Sequence, residues 1–335
     1  MSFELYCTKR ELTSPSGLEG YDFSPLAEEE RLSRLDELFS RIQESQEPTP
    51  ALFALLRHLD RAHHALRVDL DSSALGKLRP WLDANLAVVG LENDEIVDTR
   101  GRLLFSPTQS SDPEASLPRP PEAEQRRRRT ATRLASAGVI LPTDLPLVTS
   151  ESELHLRDPL DVARRCLALL LVALSAESAV GGERIPTPSL QERRPVGFEQ
   201  LSPQEREYLE NSNPHPEEHI PISWRYEALL ALLWALNLQE LPPASELCDV
   251  ARIVETMLDR EEQDVLERAL LRPPSVLLDA LDLAFCQHWA VRQAELQGGP
   301  SPPGIDPGVA YERHYALSWL TRFEPYEWDD ICTPT

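Results

Sequence analysis

Toward the C-terminal end of the chain, side chains able to do acid/base or metal chemistry recur closely: Asp279, Asp282, His288, Glu312, His314, Asp329 and Asp330. Carboxylates and imidazoles can hold a divalent ion or serve as a general acid/base pair. His288, Glu312, His314, Asp329 and Asp330 are therefore the candidate catalytic residues. Glu312 and His314 are two apart, so on a helix they point to nearly opposite sides and need partners from elsewhere. Asp279 and Asp282 share a helix face, with Cys286 and Trp289 further along it. The competing reading is structural: buried hydrogen bonds and ion pairs between helices, with Arg292 or Arg313 as partners. No metal set and no cofactor is assigned.

Five tryptophans, Trp224, Trp234, Trp289, Trp319 and Trp328, follow Trp81 late in the chain. Trp224 and Trp234 are ten residues apart and fall within about 80° on one helix face, with Glu227 and Ala231 on it. This face, with Trp289 and Trp319, is either an aromatic pocket walled by Glu227 or core, each indole N–H bonded to a carboxylate or carbonyl. Two further sets stand out. Arg126 to Arg129 with Arg133 form a basic run, read as a solvated helix face pairing with an acidic neighbour such as Glu122 or Glu124. His58, His63 and His64 lie near Asp60. Asp60 and His64 have i, i+4 spacing, but two ligands do not complete a site, and a surface position is expected. Glycine-rich phosphate loops, a GxSxG elbow and an HExxH helix do not occur in the sequence.

The 335 residues carry a formal charge of −23. Such a field repels nucleic-acid backbones and anionic lipid, and steers in a basic protein. The five cysteines lack CxxC spacing and point to a reducing compartment; with no apolar leader at Met1 to Arg10, the expectation is a cytoplasmic protein. Cys166 to Ala176 is apolar but too short to span a bilayer.

Prolines organise the chain. Ser24-Pro25, Thr49-Pro50, Asp158-Pro159 and Ser202-Pro203 each place a capping side chain before a residue whose φ suits the first helical turn. Glu205 completes a capping box at Ser202. Phe3, Leu5 and Cys7 alternate as in a strand, Leu86 to Val89 and Arg102 to Phe105 read as strands, and Pro25 to Gln43 and Pro50 to Val68 as helices. The expected fold is mainly α: a small α+β domain over 1–105, a Pro/Ser/acidic linker over 106–124, and a compact helical domain over 125–335. In the last, helices are expected over 126–137, 159–176, 203–210, 224–238, 246–257, 275–296 and 309–323, with loops at 181–197, 211–221 and 298–307.

The runs Trp224-Arg225-Tyr226-Glu227-Ala228-Leu229, Leu233-Trp234-Ala235-Leu236, His288-Trp289-Ala290, Tyr311 to Leu320 and Trp328-Asp329-Asp330 follow Gly138-Val139-Ile140-Leu141-Pro142 and Leu201-Ser202-Pro203. In this order they resemble a bacterial family, domain of unknown function 4272, from about residue 126 onward. Ser318 stands where the family tends to have Asn, and Thr333-Pro334-Thr335 where it ends Thr-Asp-Thr. The resemblance implies a domain boundary but no mechanism. The residues leave two functions open. One is a non-catalytic protein-binding module, such as an immunity-type inhibitor covering a basic toxin. The other is a hydrolase, metal-dependent or not, built from the C-terminal His, Asp and Glu residues. Oligomeric state is not legible.

Overall fold

The computed structural model describes residues 2–14, 21–45, 49–69, 75–323 and 326–333. It is mainly helical, with an α+β region at the N-terminal end. Two compact units emerge: Met1–Glu124 with Ser150–Leu154, and Gln125–Thr149 with His155–Thr335.

The first unit is built on an antiparallel sheet of order β2-β3-β1-β4-β5-β6. Its strands are β1 (Ser2–Cys7), β2 (Ser24–Pro25), β3 (His64–Asp69), β4 (Ala87–Gly90), β5 (Ile96–Val97) and β6 (Leu103–Phe105). The alternation in β1 sends Phe3, Leu5 and Cys7 to one face, where they pack with Leu78, Trp81 and Leu82 of α3 (Leu75–Ala84). The opposite face is covered as well. Tyr6, Val88 and Ile96 lie under Leu35, Leu38 and Ile42 of α1 (Glu28–Ser45) and Leu55 and Leu59 of α2 (Pro50–Asp60). Glu4, polar on that covered face, accepts from Arg34 and from the Tyr6 hydroxyl.

Two sequence expectations fail here for one reason, the sheet's demand for strands. Thr49 caps α2 as expected, but the helix ends at Asp60 rather than Val68, and His64–Asp69 instead pairs in register with β1. Ser24-Pro25 caps no helix; it is the short edge strand opposite Arg67 and Leu66. Segment 106–120 hydrogen-bonds back onto this unit, Asp112 N to Leu103 O at 2.8 Å and Ser116 N to Asp98 Oδ2 at 3.3 Å.

The helical unit centres on α5 (Pro159–Val180), capped by Asp158 and buried nearly all round. α10 (Arg225–Ala235) packs on α5, α14 (Pro307–Leu320) on α10, and α13 (Pro274–Leu296) on α14. Short helices close the other side of α5: α6 (Thr187–Arg193), α7 (Pro195–Glu199), α8 (Pro203–Glu210) and α9 (Pro216–Ser223). α6, α7 and α9 replace expected loops; at five to eight residues each, they are too short for a period of 3.6 to register. α11 (Val250–Leu258) and α12 (Glu262–Glu267) lie farther along, and α4 (Pro121–Ala135) ends three residues before the expected glycine stop, Gly138, whose φ is +83°. Among the described residues no helix is long and apolar enough to cross a membrane.

Every side-chain cation of the helical unit other than histidine is an arginine, since Lys9 and Lys77 both belong to the first unit. The basic run departs from the solvated-face expectation only in part: Arg128, Arg129 and Arg133 are exposed, but the other two members are not. Arg126 and Arg127 are buried, and Arg127 reaches Asp282 at 3.0 Å and the carbonyls of Leu145 and Pro146. Arg126 and Arg129 both approach Asp279 on α13. Helical spacing brings the cations to one face, and Asp279 and Asp282, one turn apart, receive them.

α7 meets α5 at Gly197, where a Cβ would lie 2.9 Å from the Leu167 carbonyl oxygen, inside van der Waals contact with backbone that cannot swing away. Gly197→Ala should lower the stability of the helical unit by about 1–3 kcal/mol, as overpacking does. Gly76→Ala, which meets nothing within 4 Å, should not. Thermal melts of the two variants check this pair of expectations.

Candidate functional site

α8, α9, the start of α10 and the short turn Trp328–Asp330 (η1) enclose the largest cleft described in the helical unit, about 920 Å³. Ser202 builds one wall. Its hydroxyl accepts from Glu205 N and its N–H donates to Glu205 Oε2 at 2.9 Å, completing the expected capping box. The box fixes Glu205 at the first turn of α8, where the same Oε2 also accepts from Arg165 of α5. Glu205 is 7% exposed and its other oxygen, Oε1, has no hydrogen-bond partner. Around it the cleft is lined by Glu207, Glu217, Glu218, Asp329 and the aromatic residues Tyr208 and Trp328.

Arg225 is the cation on this cleft, and it is neutralised from behind: its Nη1 lies 3.0 Å from Glu312 Oε2 on α14. The guanidinium also stacks over Tyr315, 4.8 Å from the ring centroid. Arg165 lies 5.0 Å over Trp328 in the same way, and Arg157 4.4 Å over Trp319. A planar cation on an aromatic face gains from the ring quadrupole while its N–H edge stays free for a carboxylate. The Tyr315 hydroxyl donates to the Trp328 carbonyl, which ties η1 to α14.

Glu312 faces the other way onto a second, smaller cleft of about 360 Å³ that also includes Trp224, His288 and Tyr311. Burial pushes the Glu312 carboxyl above its ordinary value, with Arg225 opposing. His288 and His314, from α13 and α14, meet Nδ1 to Nδ1 at 3.0 Å, so one ring donates and the other accepts. Burial depresses His288 to about 4, which keeps it neutral. As helix geometry requires, Glu312 and His314 diverge, one toward Arg225 and one toward His288. Asp329 sits at the large cleft, its Oδ2 accepting from Gln204 N at 2.9 Å, and Asp330 is exposed beside it. The five candidate catalytic residues are thus dispersed, with His288 and Glu312 at the small cleft, His314 buried in the core, Asp329 at the large cleft and Asp330 at the surface, and no three His, Cys, Asp or Glu side chains among the described residues form a metal-holding group.

The tryptophan face is divided too. Trp224 precedes α10 and lies against Gly308, where a Cβ would come within 2.4 Å of its ring. Trp234 lines a separate groove with Pro242 and Pro243. Glu227 is buried and lines neither cavity; its carboxylate accepts from Cys248 N at 2.5 Å and from Arg313 at 3.3 Å rather than from an indole. Trp289 is half-buried and Trp319 buried; neither lines any of these three cavities. In the first unit, the surface position expected for the histidines fails at His58, and His63 and His64 are half-buried. Asp60 ends a helix while His64 begins a strand, His58 is buried, and the His63 and His64 rings bond to the carbonyls of Glu153 and Arg10.

Arg165, Glu205, Tyr208 and Arg225 lie in no sequence motif that assigns them chemistry. The capping box does mark Glu205 in the sequence, but it assigns the carboxylate only to the helix end.

These features define a helical domain with ion-paired walls. The chain belongs to the DUF4272 family: the model of that family, a domain of unknown function, matches residues 126–331. Comparison with curated proteins and with solved structures gives no match. Of the two departures from the family pattern, Ser318 is buried on α14, whereas Pro334 and Thr335 lie outside the described residues.

Two expectations follow. Glu227→Gln strips the charge from a buried pair and leaves Arg313 uncompensated, so it should cost about 3–5 kcal/mol in chemical unfolding. The companion Glu227→Gln/Arg313→Met should recover much of that loss. For His288, the unfolded side chain titrates near 6.5 and the folded one near 4. Its contribution is complete above about pH 6.5 and disappears as pH falls toward 4, a loss of roughly 3 kcal/mol at most. Unfolding midpoints of wild type and His288→Gln at pH 7 and pH 4.5 should therefore converge on the acid side.

Proposed function

We propose that the helical unit is a non-catalytic protein-binding module that docks a basic protein. The observation that carries this reading is the partition of its charged groups. The buried carboxylates Asp282, Glu227 and Glu312 are each engaged by an arginine, which ties up groups that acid/base catalysis would need free. Glu207, Glu217 and Glu218, by contrast, are exposed on the rim of the large cleft. The −23 overall charge favours rapid encounter with a cationic surface. An inhibitor that covers a basic toxin, as immunity proteins do, is one form such a module takes.

The second reading, a hydrolase, draws on His288 and Glu312 lining one small cleft. It requires Glu312 to leave Arg225 or His288 to leave His314.

Affinity capture from the native host, followed by reconstitution from purified components, separates the two. The binding reading expects one cationic protein, captured in stoichiometric amount and rebinding when pure, with affinity that falls as salt rises. Absence of any stoichiometric partner at low and moderate salt overturns it. Ester or phosphoester turnover by the pure protein, abolished in His288→Ala, moves the assignment to the hydrolase.

A further inference from the structure

The polar groups of the large cleft are unequally satisfied. Glu205 is held at the first turn of α8, and the hydrogen bonds of its carboxylate fall on Oε2. Its Oε1 is buried, unpartnered and belongs to a residue lining the cleft. A buried carboxylate oxygen without a donor is costly, and a donor supplied by a ligand would recover that cost. The surroundings specify the donor's charge. Glu207, Glu217, Glu218 and Asp329 ring the opening, and the cleft's one arginine, Arg225, is already paired with Glu312. They also specify its shape. The aromatic residues Tyr208 and Trp328 line the cleft beside these carboxylates, and a planar fork of N–H groups can stack on such a ring while bonding a carboxylate, as a compact ammonium cannot. The walls already hold guanidinium groups in this manner. Arg165 rests on Trp328 with its edge toward Glu205, and Arg184 lies 4.9 Å over Tyr208 with its edge on the Tyr208 carbonyl.

We infer that this cleft is the receptor for an arginine side chain of a partner protein, with Glu205 Oε1 as its buried acceptor and the Glu207/Glu217 rim as its electrostatic funnel. The inference rests on the protein-binding reading and adds the place and the side-chain type. It differs from general acidic attraction, which would not distinguish arginine from lysine.

The test titrates the full chain with three short peptides that are identical except for a central arginine, lysine or citrulline, followed by calorimetry and tryptophan fluorescence. The arginine peptide should bind about tenfold more tightly than either of the others, as loss of one charge-assisted contact implies. Glu205→Gln should weaken it. Because that change also touches Arg165 and the α8 cap, Glu207→Gln/Glu217→Gln provides a second variant that disturbs only exposed side chains, and it should weaken binding severalfold. Glu37→Gln/Glu44→Gln, in another acidic cluster, should leave binding unchanged. Equal affinity for arginine and lysine peptides, or insensitivity to the rim variants, overturns the cleft assignment. If the reconstituted protein partner still binds while the arginine peptide does not, the cleft fails and the protein-binding reading stands. If nothing cationic binds, both fall.

Discussion

Pairs of arginine and carboxylate, buried between helices and often pressed onto an aromatic ring, hold the helical unit in register. Arg127–Asp282 joins α4 to α13, Arg225–Glu312 and Arg313–Glu227 both join α10 to α14, and Arg165–Glu205 joins α5 to α8. Such pairs gain little net stability over apolar packing, because desolvation takes back most of the Coulomb attraction. What they impose is a penalty for misplacement: a helix that slips by one turn strands a buried charge. α5, α10, α13 and α14 are apolar on most of their surface, so oily contacts alone would tolerate several registers. The pairs choose one.

The same pairs shape the outside of the molecule. Each removes one positive and one negative group from the surface, so the overall excess of acid is displayed by fewer exposed groups. Arginines that would otherwise screen the cleft rim face inward instead, stacked on Tyr315 and Trp328. The acidic opening and the cationic interior thus have one origin.

Much of the scaffold was legible in the residues. Asp158-Pro159 and Ser202-Pro203 announced their helices, and the long apolar runs announced α5, α10, α13 and α14, because caps and a 3.6-residue period are local properties. The sheet was harder to read, since whether Ala62 to Val68 continues a helix or pairs with β1 is decided by a partner about sixty residues away. The site was harder still. Glu312 and His314 could be seen to diverge, but nothing near either names Arg225 or His288 as its neighbour. The arginine run shows the cost of reading locally. Four cations in a row look solvated, and Arg128 and Arg129 are, but Arg126 and Arg127 are buried against Asp279 and Asp282, about 150 positions later.

The exclusive use of arginine in the helical unit has a chemical corollary. A guanidinium keeps its proton throughout the physiological range and offers no nucleophilic amine. With Lys9 and Lys77 both elsewhere, this unit presents no ε-amino group to acylating enzymes, to isopeptide tagging or to amine-directed cross-linkers. Its positive charges are therefore out of reach of the commonest covalent means by which cells erase them.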